Sequence, residues 1–153
     1  MPRSHLCLGL AHKDQARAGD FASWETAARS FVRCRDLAYA QRDAAMASRA
    51  LNNLGSVAYE VGQVDIAEGY YTDALDLVPD YDDAIVNLAT VRFRRAQEAR
   101  DKSMLLEAID GYRMALALRP THAQAWGNLS LALEAIGDRI GAVEARTTME
   151  NLR

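Results

Sequence analysis

The chain of 153 residues is poor in the residues that interrupt helices and in those that favour β-strands. It contains three prolines and nine glycines, and β-branched residues are few beside the alanines and leucines. Half of the residues are hydrophobic, which is enough for a packed core and argues against disorder. Because alanine, leucine, arginine and glutamate all favour helix, the composition predicts an all-α protein.

Other absences exclude whole classes of protein. The net charge of −3 shows no basic bias, so we expect neither nucleic acid nor an anionic membrane as a partner. No apolar run approaches the ~20 residues of a transmembrane helix, and the N-terminus lacks the apolar run of a signal peptide. We therefore expect a cytoplasmic protein without membrane insertion. The two cysteines, Cys7 and Cys34, are interpreted as reduced thiols.

Motifs of catalysis and cofactor binding are also missing. The sequence has no Gly-rich phosphate loop, no nucleophile motif and no close carboxylate pair on an apolar background. His5, Cys7 and His12 lie close together, but no fourth ligand follows at a recognised zinc spacing. The acidic loop at residues 80–83 is expected to cap a helix. We expect no enzyme activity, no metal and no cofactor.

What the sequence does contain is a repeat. An Asn-Leu-small tripeptide occurs three times, at intervals of 34 and 41 residues: Asn53-Leu54-Gly55, Asn87-Leu88-Ala89 and Asn128-Leu129-Ser130. A second set recurs after 41 residues, with Ala67, Tyr71, Ala74 and Pro79 repeated as Ala108, Tyr112, Ala115 and Pro120. Such a period in a helix-rich chain indicates a solenoid of helix pairs.

The clearest unit spans residues 48–81. Its apolar residues follow helical spacing, Gly62 ends a first helix, and Pro79 ends a second. The unit resembles a tetratricopeptide repeat, and the residues that carry the resemblance are Leu51, Leu54, Gly55, Ala67, Tyr71 and Pro79. The resemblance implies an all-α, right-handed superhelical solenoid of antiparallel helix pairs, with about eight helices.

Four such units account for the chain as a single tetratricopeptide-like domain, 1–153. They are a degenerate repeat at 5–47, the clear repeat at 48–81, an expanded repeat at 82–122 and a C-terminal repeat or cap at 123–153.

The expanded repeat is seven residues longer than the clear one, and the extra residues fall between Ala89 and Ala108. Because residues 94–107 contain no glycine or proline, we expect each helix to grow by about one turn. Asp101 or Ser103 should cap the second helix.

The resemblance also implies that the first helix of each pair lines a concave binding groove. There the amides of Asn53, Asn87 and Asn128 could pair with the backbone of an extended peptide. The alternative is that each asparagine only bonds to the neighbouring helix. The candidate binding residues are Asn52, Asn53, Ser56, Tyr59, Asn87, Thr90, Phe93, Arg94, Gln124, Asn128 and Leu131.

Two observations refine the expected ligand. Tyr59, Phe93 and Arg94 could form a mixed aromatic and basic pocket for an anchor side chain, or else a solvated helix end. Family members that bind chaperone tails clamp a carboxylate with two lysines, an arginine and two asparagines. The matching positions here carry no cation, so we do not expect this ligand: they are Asn52, Ser56, Asn87, Gln124 and Asn128.

The predicted function is therefore a protein–protein interaction scaffold that binds a peptide or partner segment in its groove. One alternative is self-assembly into a homo-oligomeric scaffold. Another is a regulatory or targeting module of a larger bacterial signalling protein, which the wording of residues 50–55 suggests.

Overall fold

The computed structural model describes residues 1–152, which form eight α-helices and no strand. The all-α prediction with about eight helices is therefore confirmed. Within the described residues, no helix combines the length and apolarity needed to cross a bilayer. The helices are α1 (Pro2–Arg17), α2 (Ser23–Ala40), α3 (Ala44–Glu60), α4 (Val64–Leu77), α5 (Asp82–Ala99), α6 (Lys102–Leu118), α7 (Ala123–Ile136) and α8 (Arg139–Asn151).

The helices are grouped into two compact units. The first, Met1–Pro79, contains α1 to α4, and the second begins at Asp80 and contains α5 to α8. Within each unit, helices that follow one another in the chain pack together, and the first helices of the two pairs also touch: α1 contacts α3, and α5 contacts α7. Each unit thus presents one face built from two first helices.

Short turns with specific caps separate the helices. Gly62 and Gly137 adopt positive φ angles of 83° and 96°, which glycine reaches without steric cost. Asp43 caps α3 by accepting a hydrogen bond from the Met46 amide at 2.9 Å. Pro79 follows the end of α4, as the sequence predicts.

The pair α5 and α6 is longer than its neighbours, as expected. These helices have 18 and 17 residues, whereas α4 and α7 have 14 each. Asp101 is the N-cap of α6 and accepts hydrogen bonds from the amides of Ser103 and Met104 at 2.8 and 3.4 Å. These bonds hold the pKa of Asp101 below its usual range, with the Ser103 hydroxyl as the largest contributor.

The first unit repeats one packing relationship. A Cβ on Gly55 would lie 2.5 Å from the Tyr71 ring, and a Cβ on Gly9 would lie 2.5 Å from the Phe31 ring. In both cases the helix can approach the aromatic ring only because the glycine has no side chain. Gly9 and Phe31 are therefore the counterparts of Gly55 and Tyr71, an alignment that the degenerate N-terminal sequence left open.

Both cysteines are free thiols, as predicted. Cys7 is exposed, whereas Cys34 belongs to the core of the first unit with Phe31, Leu54 and Val57. Burial raises the pKa of the Cys34 thiol, so this side chain packs as a small apolar group.

Candidate functional site

The face formed by α1 and α3, here the first-unit face, is held together by polar contacts. The Lys13 amine donates a 2.7 Å hydrogen bond to Asn53 Oδ1, and Asn53 Nδ2 donates to the Arg49 carbonyl at 2.9 Å. Near the ends of the same helices, Arg17 pairs with Glu60 at 2.8 Å. The Asn53 amide is thus fixed in orientation by two partners.

Lys13 was not among the residues that the sequence predicted. Burial, with a further contribution from the Arg17 charge, lowers the pKa of its amine. Its position one turn after Gly9 on α1 matches that of Tyr59 one turn after Gly55 on α3. The signal was therefore present, but it required the alignment of Gly9 with Gly55.

Three further predicted residues lie on α3. Asn52 is buried, and its carbonyl accepts a 3.1 Å hydrogen bond from the Ser56 hydroxyl. Tyr59 is partly exposed. Burial raises the pKa of the neighbouring Tyr71 phenol to about 12, and a hydrogen bond with Ser56 opposes this rise. Ser56 therefore links the first-unit face to the buried aromatic ring beneath it.

On the face formed by α5 and α7, here the second-unit face, Thr90 joins three helices. Its hydroxyl donates to the Val86 carbonyl at 2.8 Å and accepts from Tyr112 of α6 at 3.2 Å and from Asn128 Nδ2 of α7 at 3.1 Å. The structure thus brings two predicted residues, Thr90 and Asn128, into direct contact. These bonds and those of Asn53 match the alternative that the asparagines bond to neighbouring helices.

The other predicted residues of the second unit surround this contact. Asn87 and Phe93 are partly exposed, and Arg94 pairs with Glu98 at 3.1 Å. On α7, Gln124 is exposed and the Leu131 side chain is 53% exposed. The second-unit face therefore combines fixed polar groups with an accessible apolar side chain.

A cleft of about 320 Å³ lies at the tip of the long hairpin, between the end of α5, the start of α6 and the end of α7. Its lining comprises Ala96, Gln97, Arg100, Asp101, Lys102, Leu105 and Ala135. Three of these side chains are apolar, two are cationic, and none was among the predicted site residues.

Another cluster lies at the start of α5. Asp82 and Asp83 occupy its first turn, and the Arg119 guanidinium pairs with both carboxylates. His122 is 7% exposed, its Nδ1 accepts from the Ala125 amide at 3.4 Å, and its Nε2 lies 3.0 Å from Asp83 Oδ1 without hydrogen-bond geometry.

Two carboxylates and an imidazole could ligate a metal ion, since their ligand atoms lie within 4.8 Å of one another. However, Arg119 already neutralises both carboxylates, and the cap to Ala125 leaves the proton of a neutral His122 on Nε2. We therefore assign this cluster to the junction between the helices. The expected capping takes the form of two acidic residues in the first turn, because the N-cap, Tyr81, makes no side-chain cap bond.

Helix pairs with short turns, small residues against aromatic rings and adjoining first helices define the tetratricopeptide-repeat fold. Comparison with solved structures supports this assignment. TTC0263, a thermophilic tetratricopeptide-repeat protein of Thermus thermophilus, superposes with a TM-score of 0.79 at 20% identity, over 100% of this chain and 75% of that one.

Two other solved structures share the fold. The first tetratricopeptide-repeat domain of Spaghetti (RPAP3), bound to an HSP90 peptide, matches with a TM-score of 0.63 at 20% identity, over 71% of this chain and 81% of that one. MamA matches with a TM-score of 0.59 at 18% identity, over 94% and 85%. No family model and no curated protein matches the chain.

Proposed function

We propose that this protein is an interaction scaffold that binds an extended segment of a partner protein along the faces of its first helices. The observation that carries the proposal is the anchoring of Asn128 to Thr90 beside the exposed Leu131. Because Asn128 Nδ2 is held by Thr90, its carbonyl oxygen has a fixed direction in which to accept a peptide N–H. Leu131 supplies apolar area next to that acceptor.

The first-unit face has a similar but opposite arrangement. Asn53 accepts from Lys13 and donates one amide hydrogen to Arg49, so its second amide hydrogen can be offered to a carbonyl. Fixing these groups before binding lowers the entropic cost of association. Tyr59, which is partly exposed on this face, provides a surface for an anchor side chain.

The HSP90 peptide in the RPAP3 complex supports a peptide ligand by analogy of fold. We do not propose the same ligand here, because the positions matched to the carboxylate clamp carry no cation. Self-assembly and a regulatory role within a larger protein remain predictions of the sequence.

A displayed peptide library panned against the whole chain tests the proposal. Peptides recovered on the native protein should lose about tenfold or more in affinity for Leu131→Asp, because a charge replaces the exposed apolar contact. Leu106→Asp is the matched control, since Leu106 is 50% exposed on α6. The proposal fails if both variants keep the affinity of the native chain, or if no peptide is recovered.

A further inference from the structure

We infer that the cleft at the hairpin tip binds an acidic segment of a partner protein through an apolar anchor side chain flanked by carboxylates. This inference rests on the proposed function, and it adds the chemistry of the ligand and a second place of contact. The cleft is built by residues of α5, α6, α7 and the turn between α5 and α6.

The floor of the cleft suits an apolar anchor. Ala96 and Leu105 are buried, whereas Ala135 is exposed at its edge. With a volume of about 320 Å³, the cleft can receive one large side chain but not a folded element. Burial of a leucine or phenylalanine there would remove apolar surface of both partners from water.

The rim of the cleft selects acidic neighbours for that anchor. Arg100 and Lys102 are exposed, and neither forms an ion pair with any residue in the range 1–152. The single acid of the lining, Asp101, is already engaged as the cap of α6. The two cations therefore remain available to carboxylates of a ligand.

The backbone at Arg100 is an independent indication. This residue adopts the left-handed conformation, with φ of 53° and ψ of 37°, at a helix end where glycine or asparagine is usual. An arginine here carries a steric cost that glycine would avoid. Such outliers cluster at functional sites, and in this case the strained residue places a guanidinium at the rim of the cleft.

The cleft also continues the second-unit face. Ala135 follows Leu131 by one turn of α7, and Gln97 follows Thr90 by two turns of α5, so each pair lies on one side of its helix. A segment seated beside Asn128 and Leu131 would therefore run towards the rim cations. This continuity favours a peptide over a nucleic acid, because only two unpaired cations are present and no exposed aromatic ring lines the cleft.

Fluorescence anisotropy with defined probes tests the inference. The main probe is a fluorescein-labelled, amidated hexapeptide of sequence Glu-Asp-Leu-Phe-Glu-Asp. A second probe replaces Leu-Phe with Gly-Ser, a third replaces all four acids with lysine, and a fourth is labelled oligouridylate. We expect the first probe to bind best, and its affinity to fall with added salt.

Variants of the whole chain locate the site. Arg100→Glu/Lys102→Glu should weaken the first probe by about tenfold or more, because attraction is replaced by repulsion. Arg3→Glu/Arg33→Glu makes the same charge change at exposed residues of the first unit and should alter affinity by less than about twofold. Ala135→Phe should fill the cleft and weaken binding without altering charge. Shifts of the Ala96, Leu105 and Ala135 amide resonances should accompany binding.

The inference is overturned by any of four results: no binding of the first probe, equal binding of the probe without the anchor, tighter binding of oligouridylate, or equal losses in the two charge-reversed variants. These results leave the proposed function intact if displayed peptides still depend on Leu131. Conversely, binding of the first probe in the cleft without any effect of Leu131→Asp would remove the proposed groove site and keep the cleft.

Discussion

The side chain of Asn128 donates a 3.1 Å hydrogen bond to the hydroxyl of Thr90, and this bond ties α7 to α5. The same hydroxyl accepts a bond from Tyr112 and so includes α6. A repeated asparagine thus serves the packing of helix pairs, and the anchored amide is also what makes its free oxygen a directed acceptor for a ligand.

Replacement of Thr90 by valine keeps the shape of the side chain and removes the shared hydroxyl. We expect Thr90→Val to lower the free energy of unfolding by about 1–3 kcal/mol, because Tyr112 and Asn128 each lose a partner. Thr72→Val should have little effect, since Thr72 is exposed and bonds only within its own helix. Urea unfolding measures both, and a double-mutant cycle with Asn128→Ala should give a coupling above about 0.5 kcal/mol. Strict additivity would show that the bond does not contribute to stability.

Close contact between Gly55 and Tyr71 predicts a steric effect. Gly55→Ala should destabilise the protein by about 1–3 kcal/mol, because the added methyl would sit 2.5 Å from a buried ring atom. Gly9→Ala should behave similarly against Phe31. Gly69→Ala is the matched control in α4, where a Cβ meets nothing within 4 Å, and it should stabilise by about 0.5–1 kcal/mol. Equal effects of the three changes on urea unfolding would contradict this packing.

The buried phenol of Tyr71 predicts a loss of stability in alkaline solution. Its pKa rises from 10 to about 12 on folding, so the folded state holds the proton more tightly. This contribution, of about 2–3 kcal/mol, is fully present below pH 10 and is lost as the pH rises from 10 through 12.

The comparison with Tyr71→Phe isolates this contribution from other titrating groups. The difference in free energy of unfolding between the native chain and this variant should shrink from pH 9 to pH 12, within the stated window. Tyr39→Phe, at a tyrosine that is 49% exposed, should follow the native chain throughout. A constant difference between the native chain and Tyr71→Phe would show that the phenol is not desolvated on folding.

At Arg100, stability and binding should change in opposite directions. Arg100→Gly should leave the protein as stable as before or raise the free energy of unfolding by up to about 1 kcal/mol, because glycine adopts the left-handed conformation without steric cost. The same variant should bind the acidic hexapeptide more weakly. Thermal unfolding and anisotropy measure the two effects, and a variant that is destabilised yet binds normally would contradict both explanations.

Much of this architecture follows from the local sequence. The turn at Gly62, the stop at Pro79 and the cap at Asp101 are each specified by residues close in the chain. The period of the Asn-Leu-small tripeptide predicted helix pairs, because side chains that meet the same neighbours in each repeat must be similar. The extra length between Ala89 and Ala108 likewise predicted longer helices in that pair.

The partners of individual side chains were beyond the sequence. Lys13 and Asn53 are 40 residues apart, and their bond depends on an alignment of the first repeat that only the contact of Gly9 with Phe31 establishes. The cleft at the hairpin tip requires the ends of three helices to meet. Local periodicity therefore determined the helices and their pairing, whereas the tertiary structure decided which polar groups are anchored and where a ligand can be received, because both depend on contacts between residues distant in the chain.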